Sequence, residues 1–240
     1  MQFSRAYHMA HFDVSSVEGS DRVCYALIPE GVVADLTKWA DKASSRFNMN
    51  IVLITGIDWN KDMSPWPAEG VMKERKNFSG GAGMYLKVLT EDFIPNVEQW
   101  LKLRTPKRYI IGVSLSGLFA LWSLSKYNGF LGVASVSGSL WYDGFVEWAG
   151  KNAFFGNPRI YLSLGVKEKN VSDRRMTTVE DATKSMVELL EGKGFDVTFE
   201  MVPGTHFSPL APKFDRALEN LLPEHADPEV SSSSEGPVSE

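Results

Sequence analysis

Three kinds of side chain that together can move an acyl group occur in order along this chain: a serine between small residues, a carboxylate, and a histidine. Ser114 lies in Gly112-Val113-Ser114-Leu115-Ser116-Gly117. A β-branched and aromatic run precedes it and an apolar helix start follows, so the serine falls on a sharp strand-to-helix turn. Such a turn needs small neighbours and projects the hydroxyl away from the sheet. A serine hydroxyl is a weak nucleophile and requires a base. His206, after Pro203-Gly204-Thr205, can serve near neutral pH. A carboxylate must then orient the imidazole and stabilise its charged form. Glu168 is the expected acid, because it comes directly after a predicted strand. Asp173, nearer the next predicted helix, is its competitor. The amide of Leu115 opens that helix and is the expected first oxyanion donor. The second is expected from the loop after the 50–55 strand, with Ile57 the candidate.

Other chemistries find less support. The chain has four histidines, and His8, His11 and His225 are expected to have surface or edge roles. There is no His-Glu-x-x-His, and a lone Cys24 excludes a cysteine-built metal cluster or an internal disulfide. The glycine-rich stretch 78–83 is not followed by Gly-Lys-Ser/Thr, so it reads as turns rather than a phosphate loop. Neither a metal nor an organic cofactor is implied. A net charge of −5 gives no general basic surface for nucleic acid or anionic membrane. No apolar run is long enough to span a bilayer, and residues 1–8 lack an apolar signal core. A cytoplasmic protein with a small-molecule ester as its partner is expected.

The elements that must position these residues alternate. Strands are predicted at 3–12, 22–28, 50–55, 107–112, 131–137, 159–164 and 196–202. Helices are predicted at 35–47, at 84–103 with a break near Pro95, and at 115–127, 143–149, 177–191 and 209–222. This alternation predicts an α/β fold: a three-layer sandwich with a mostly parallel central sheet, the two N-terminal strands supplying an antiparallel edge. Residues 1–226 form one predicted domain of adequate size for a core, since 43% of the residues are hydrophobic and 23% charged. Residues 227–240, with Ser231 to Ser234, are expected to be a disordered tail. The segment between the strands at 131–137 and 159–164 is too short for a large lid, so a minimal lid or none is expected. In open α/β sheets ligands bind at the C-terminal strand ends, where Ser114, Glu168 and His206 would meet. Asp58, Trp59, Trp66, Trp141 and Tyr142 lie in loops on that edge and are candidates to line a substrate pocket. At least two of the aromatics are expected simply to pack those loops.

The elbow Gly-Val-Ser-Leu-Ser-Gly-Leu-Phe-Ala, the segment Ser135-Val136-Ser137-Gly138-Ser139-Leu140-Trp141-Tyr142, and Gly204-Thr205-His206-Phe207 resemble the putative-esterase branch of the α/β-hydrolases. That branch includes esterase D-like and enterobactin esterases. The resemblance spans most of residues 50–222, and the order serine, acid, histidine is the one this fold uses. Ser116 departs from the usual glycine. The resemblance implies a serine carboxylic-ester hydrolase with Ser114 as nucleophile and His206 as base. The acid varies within the branch, and some siderophore esterases resemble dyads. An acyltransferase, or a silent hydrolase fold that only binds, are the alternatives.

Overall fold

In this computed structural model, residues 11–71 and 76–222 are described. Seven strands build the central sheet: β1 (His11–Ser15), β2 (Arg22–Leu27), β3 (Asn50–Thr55), β6 (Lys107–Val113), β7 (Phe130–Val136), β8 (Arg159–Gly165) and β9 (Asp196–Val202). Their spatial order is β1-β3-β2-β6-β7-β8-β9. Only β1 runs antiparallel, pairing with β3 from His11↔Thr55 to Ser15↔Ile51. The expectation that both N-terminal strands form the edge is therefore corrected. β2 lies inside the sheet, parallel to β3 and β6. The sequence of β2, Arg-Val-Cys-Tyr-Ala-Leu, agrees with an interior place, because it carries apolar side chains on both faces. Most of the predicted 3–12 strand, His8, His225 and the 227–240 tail lie outside the described residues.

Helices cover both faces. On one face α1 (Val33–Phe47) and α8 (Leu210–Leu221) pack Leu36, Trp39, Ala43, Phe214, Ala217 and Leu218 against Cys24, Ala26 and Ile51. The opposite face takes α3 (Ala82–Val88), α4 (Ile94–Leu101), α5 (Leu115–Ser123), α6 (Phe145–Lys151) and α7 (Val179–Gly192). All nine residues of α5 are buried, consistent with a helix start that is apolar all round. Fully burying one large apolar side chain contributes about 1.5–3 kcal/mol, so this layer anchors the turn that carries Ser114.

Between β3 and α3 the chain forms a short helix, α2 (Trp59–Asp62), and a two-stranded ribbon, β4 (Pro67–Ala68) with β5 (Phe78–Ser79). Two-residue strands have no periodicity, which is why the sequence shows only a loop there. The predicted break near Pro95 takes the form of a wide π turn at Leu89–Phe93, with Pro95 in the first turn of α4. Proline offers no amide to the preceding turn, and a widened turn accommodates the loss.

Candidate active site

β6 delivers Ser114 into a backbone conformation that non-glycine residues rarely adopt, φ 58° and ψ −123°. Such a position costs about 1–3 kcal/mol and persists only where its surroundings over-determine it. Here they do. The Ser114 amide donates to Val136 O at 3.1 Å, and its carbonyl accepts from the amides of Gly117, Leu118 and Ser139. A Cβ at Gly112 would come within 2.0 Å of Ser116 O, so only glycine allows the helix start to fold back this closely. Ser116 is more than a tolerated replacement. Its buried hydroxyl accepts from the Val113 amide at 2.8 Å and donates to Leu27 O at 2.8 Å, tying the turn to the end of β2.

Glu168 and His206 arrive on the loops after β8 and β9. Parallel strands end on the same edge, so residues distant in sequence converge there. Ser114 Oγ and His206 Nε2 are hydrogen-bonded at 3.2 Å, and His206 Nδ1 and Glu168 Oε2 at 3.0 Å. The second carboxylate oxygen, Oε1, accepts from Ser137 Oγ and from the Gly165 amide, each at 2.7 Å. Glu168 is only 5% exposed. Burial alone would raise its carboxyl. The hydrogen bonds from His206, Ser137 and the Gly165 amide outweigh that and hold it below its ordinary value. A Cβ at Gly165 would sit 2.9 Å from Oε1, so the glycine leaves room for the carboxylate. This arrangement can draw a proton from a hydroxyl to an imidazole and stabilise the resulting charge.

Asp173 is elsewhere. Its Oδ1 accepts from the amides of Arg175 and Met176 and closes the turn into the helical segment that leads to α7. Leu115 is buried at the first position of α5, where the helix presents amide donors. Ile57 lies in the loop after β3, partly buried against the core.

The aromatic loops are largely occupied with each other. Tyr142 is buried, and its hydroxyl donates to Trp66 O. The Trp66 indole donates to Asp143 O at 3.0 Å and packs against Tyr142 and Trp148. Tyr142 and Trp66 thus hold loops together, and Tyr142 offers no surface to a ligand. Asp58 is the N-cap of α2, accepting from the Lys61 amide. Trp59 and Trp141 are partly buried against the core. Arg175 ties three loops of this edge by donating to the carbonyls of Glu69 and Gly70 and to the Asp143 carboxylate. The loops along this edge thus come from the described residues after β3 and from the segments after β7 and β8, joined through Arg175.

Three residues of this site were missed by sequence reasoning. Ser137 has φ 50° and supplies the hydroxyl on Glu168. Ser139 places its hydroxyl 3.2 Å from Ser114 Oγ. Lys213, on α8, donates to Ser137 Oγ at 2.9 Å and Thr205 O at 3.1 Å. Both serines stand in the Ser-x-Ser-x-Ser segment, but without an assigned role. Lys213 did leave a signal: it falls on the apolar face of α8 with Phe214, Ala217 and Leu221, where a lysine is out of place.

The strand order, with a strained serine on the turn after the central β6, places the chain among the α/β-hydrolases. Residues 35–221 match the family described as Putative esterase, and the chain belongs to that family. A relative from Bacillus subtilis (strain 168), the uncharacterized protein YbbA, is 32% identical over 138 residues; the match spans 56% of this chain and about half, 55%, of that protein. Among solved structures, an IroE-like serine hydrolase from Shewanella oneidensis superposes with a TM-score of 0.72 at 19% identity, covering 86% of this chain and 73% of its own. The siderophore hydrolase EstA from Aspergillus nidulans does so at 0.66 and 19% identity, covering 88% of each chain. These structural likenesses concern the fold, and the esterase class rests on the family.

Proposed function

We propose that the protein hydrolyses a carboxylic ester through an acyl-enzyme on Ser114. The observation that carries this reading is the unbroken chain Ser114–His206–Glu168, with links of 3.2 and 3.0 Å. Ser114 Oγ attacks the ester carbonyl while His206 Nε2 takes its proton. Glu168 keeps the other ring nitrogen protonated and stabilises the imidazolium. The amides of Leu115 and Ile57 receive the oxyanion of the tetrahedral intermediate. His206 then gives the proton to the leaving alcohol. Water, deprotonated by the same imidazole, attacks the acyl-enzyme and releases the acid and free Ser114.

The substrate is a small or aromatic water-soluble ester. Phe207 supports this: it is 88% exposed beside His206, with the two rings 5.3 Å apart and edge to face, an apolar side chain standing at the mouth of the site. An acyltransferase would differ only in letting an alcohol replace water. The test is a fluorophosphonate probe followed by a panel of soluble esters. Covalent labelling of Ser114 and release of free acid are expected. A parent protein that neither labels nor hydrolyses would sink the reading, and acyl transfer to an added alcohol in preference to water would move it to the transferase.

A further inference from the structure

Among the described residues Lys213 is the only buried lysine or arginine, 4% exposed. An ammonium withdrawn from water is costly unless charges and dipoles replace its hydration. The partners of this one are all parts of the candidate site. Its Nζ donates to Ser137 Oγ at 2.9 Å and to Thr205 O at 3.1 Å, and stands 3.8 Å from Glu168 Oε1. The Ser137 hydroxyl is thus saturated in one direction: it accepts from Lys213 and donates to Glu168. Thr205 immediately precedes His206. One cation on α8 therefore holds both the acid and the loop of the base.

We propose that Lys213 is a positioning residue of the esterase reaction: through Ser137 it fixes the Glu168 carboxylate against His206, and through the Thr205 carbonyl it fixes the loop that carries that histidine. This rests on the serine-hydrolase reading above. The titratable groups facing Lys213 are Glu168 from the loop after β8 and His206 beyond it from the loop after β9. Its neighbours on α8 are turned away. Asp215 meets Trp39 and Arg46 of α1, and Arg216 meets Glu200 of β9, which also accepts from Tyr161 of β8. Burial lowers the Lys213 ammonium from its ordinary value, and Glu168 partly offsets this. With the cation gone, the negative charge of Glu168 would act on the imidazole unopposed, and the Ser137 hydroxyl that holds Oε1 would lose the donor that fixes its direction.

Lys213→Met, Lys213→Arg and Ser137→Ala are compared with the parent. Hydrolysis of 4-nitrophenyl acetate is normalised to the Ser114 titrated by a fluorophosphonate. The ring protons of His206 are followed by NMR across pH, assigned by their absence in His206→Gln. For Lys213→Met, kcat per titrated serine should fall about 10- to 100-fold, less than the loss expected from removing the acid itself. KM should stay within about twofold, since no substrate contact is lost. The acid limb of kcat/KM and the His206 titration midpoint should move together to higher pH, by about one unit. Lys213→Arg should recover the midpoint, and Ser137→Ala should lower kcat in the same direction as Lys213→Met. A normal kcat per titrated serine with an unmoved midpoint would overturn the proposal, whatever the melting temperature did. Should Lys213→Met not fold, Ser137→Ala and Lys213→Gln decide by the same two readouts. A parent that neither labels nor hydrolyses removes the esterase reading instead, and the NMR midpoint still decides whether Lys213 governs the Glu168–His206 pair.

Discussion

Two buried glutamates stand at opposite ends of the central sheet. Glu98, on α4, is 6% exposed, and Glu168, after β8, is 5% exposed. Glu98 spends both oxygens on one permanent cation: Arg108 Nε reaches Oε1 at 2.6 Å and Nη2 reaches Oε2 at 2.8 Å. Tyr25 donates to Oε1 as well, at 3.2 Å. This planar two-point pair raises the Arg108 guanidinium further and cross-links α4 to the start of β6. Glu168 instead has one oxygen held by the Ser137 hydroxyl and the Gly165 amide and the other against the His206 imidazole. Burial is the same in both. What differs is the partner, a guanidinium for Glu98 and an imidazole for Glu168.

The first way to sharpen this contrast is at the head of the Glu168 chain. Ser114→Ala should lower ester hydrolysis by about 10⁵- to 10⁶-fold, because the covalent route disappears. Its unfolding midpoint in urea should stay close to the parent's. Activity within about tenfold of the parent would remove Ser114 from the mechanism.

Next comes the direct comparison of the two acids. Glu168→Gln should cost about 10⁴ in kcat, as loss of the orienting acid does in a serine protease. Glu98→Gln should leave kcat per folded molecule near the parent value but cost up to about 3 kcal/mol of stability, since Arg108 then keeps a partly buried charge without its partner. Single-turnover kinetics and urea unfolding on both variants read the two effects separately. If Glu98→Gln proves the slower enzyme, the assignment of roles is wrong. Asp173→Asn belongs in the same set and should be nearly normal in rate.

A third measurement uses pH. Since the folded state lowers the Glu168 carboxyl, its charged form is stabilised by folding. That contribution is fully present above the unfolded-state value, about 4.5, and is lost as pH falls through the lower folded-state value. The stability difference between parent and Glu168→Gln should therefore shrink on acidification below about pH 4.5. A gap that stays constant through that window would mean Glu168 titrates alike in both states. The smallest expected effect is that of Ser139→Ala, which removes the hydroxyl 3.2 Å from Ser114 Oγ and should slow turnover about fivefold, the worth of one neutral hydrogen bond.

The legible parts of the molecule were those with local signals. The strands at 50–55 and 196–202 match β3 and β9 to the residue, because an unbroken apolar run or a turn at each end marks them. Helix ends drifted by a few residues, as at 115–127 against Leu115–Ser123, because frayed turns carry weak boundary signals. The place of β2 inside the sheet was not legible. Its pairing with Lys107 to Gly112, some eighty residues away, leaves no mark on either segment. At least two of the loop aromatics were expected to pack rather than line a pocket, but not which ones, because a tryptophan that lines a pocket and one that packs a loop look the same in sequence. Only the bonds from Trp66 to Asp143 O and from Tyr142 to Trp66 O tell them apart.

The sequence by itself determined the alternation of strands and helices, the strained turn at Ser114 and the order of serine, acid and histidine, since periodicity and turn chemistry are properties of neighbouring residues. Closeness to a strand end favoured Glu168 over Asp173, and tertiary structure decided that it is Glu168 that meets the histidine. Asp173 and Glu168 are five positions apart on one loop, yet Glu168 reaches His206 across 38 residues while Asp173 turns back to close its own turn. It also decided that a lysine on the apolar face of α8 is matched by a serine 76 residues away rather than exposed to water. Such pairings depend on how parallel strands end together on one edge, and no short stretch of chain encodes that.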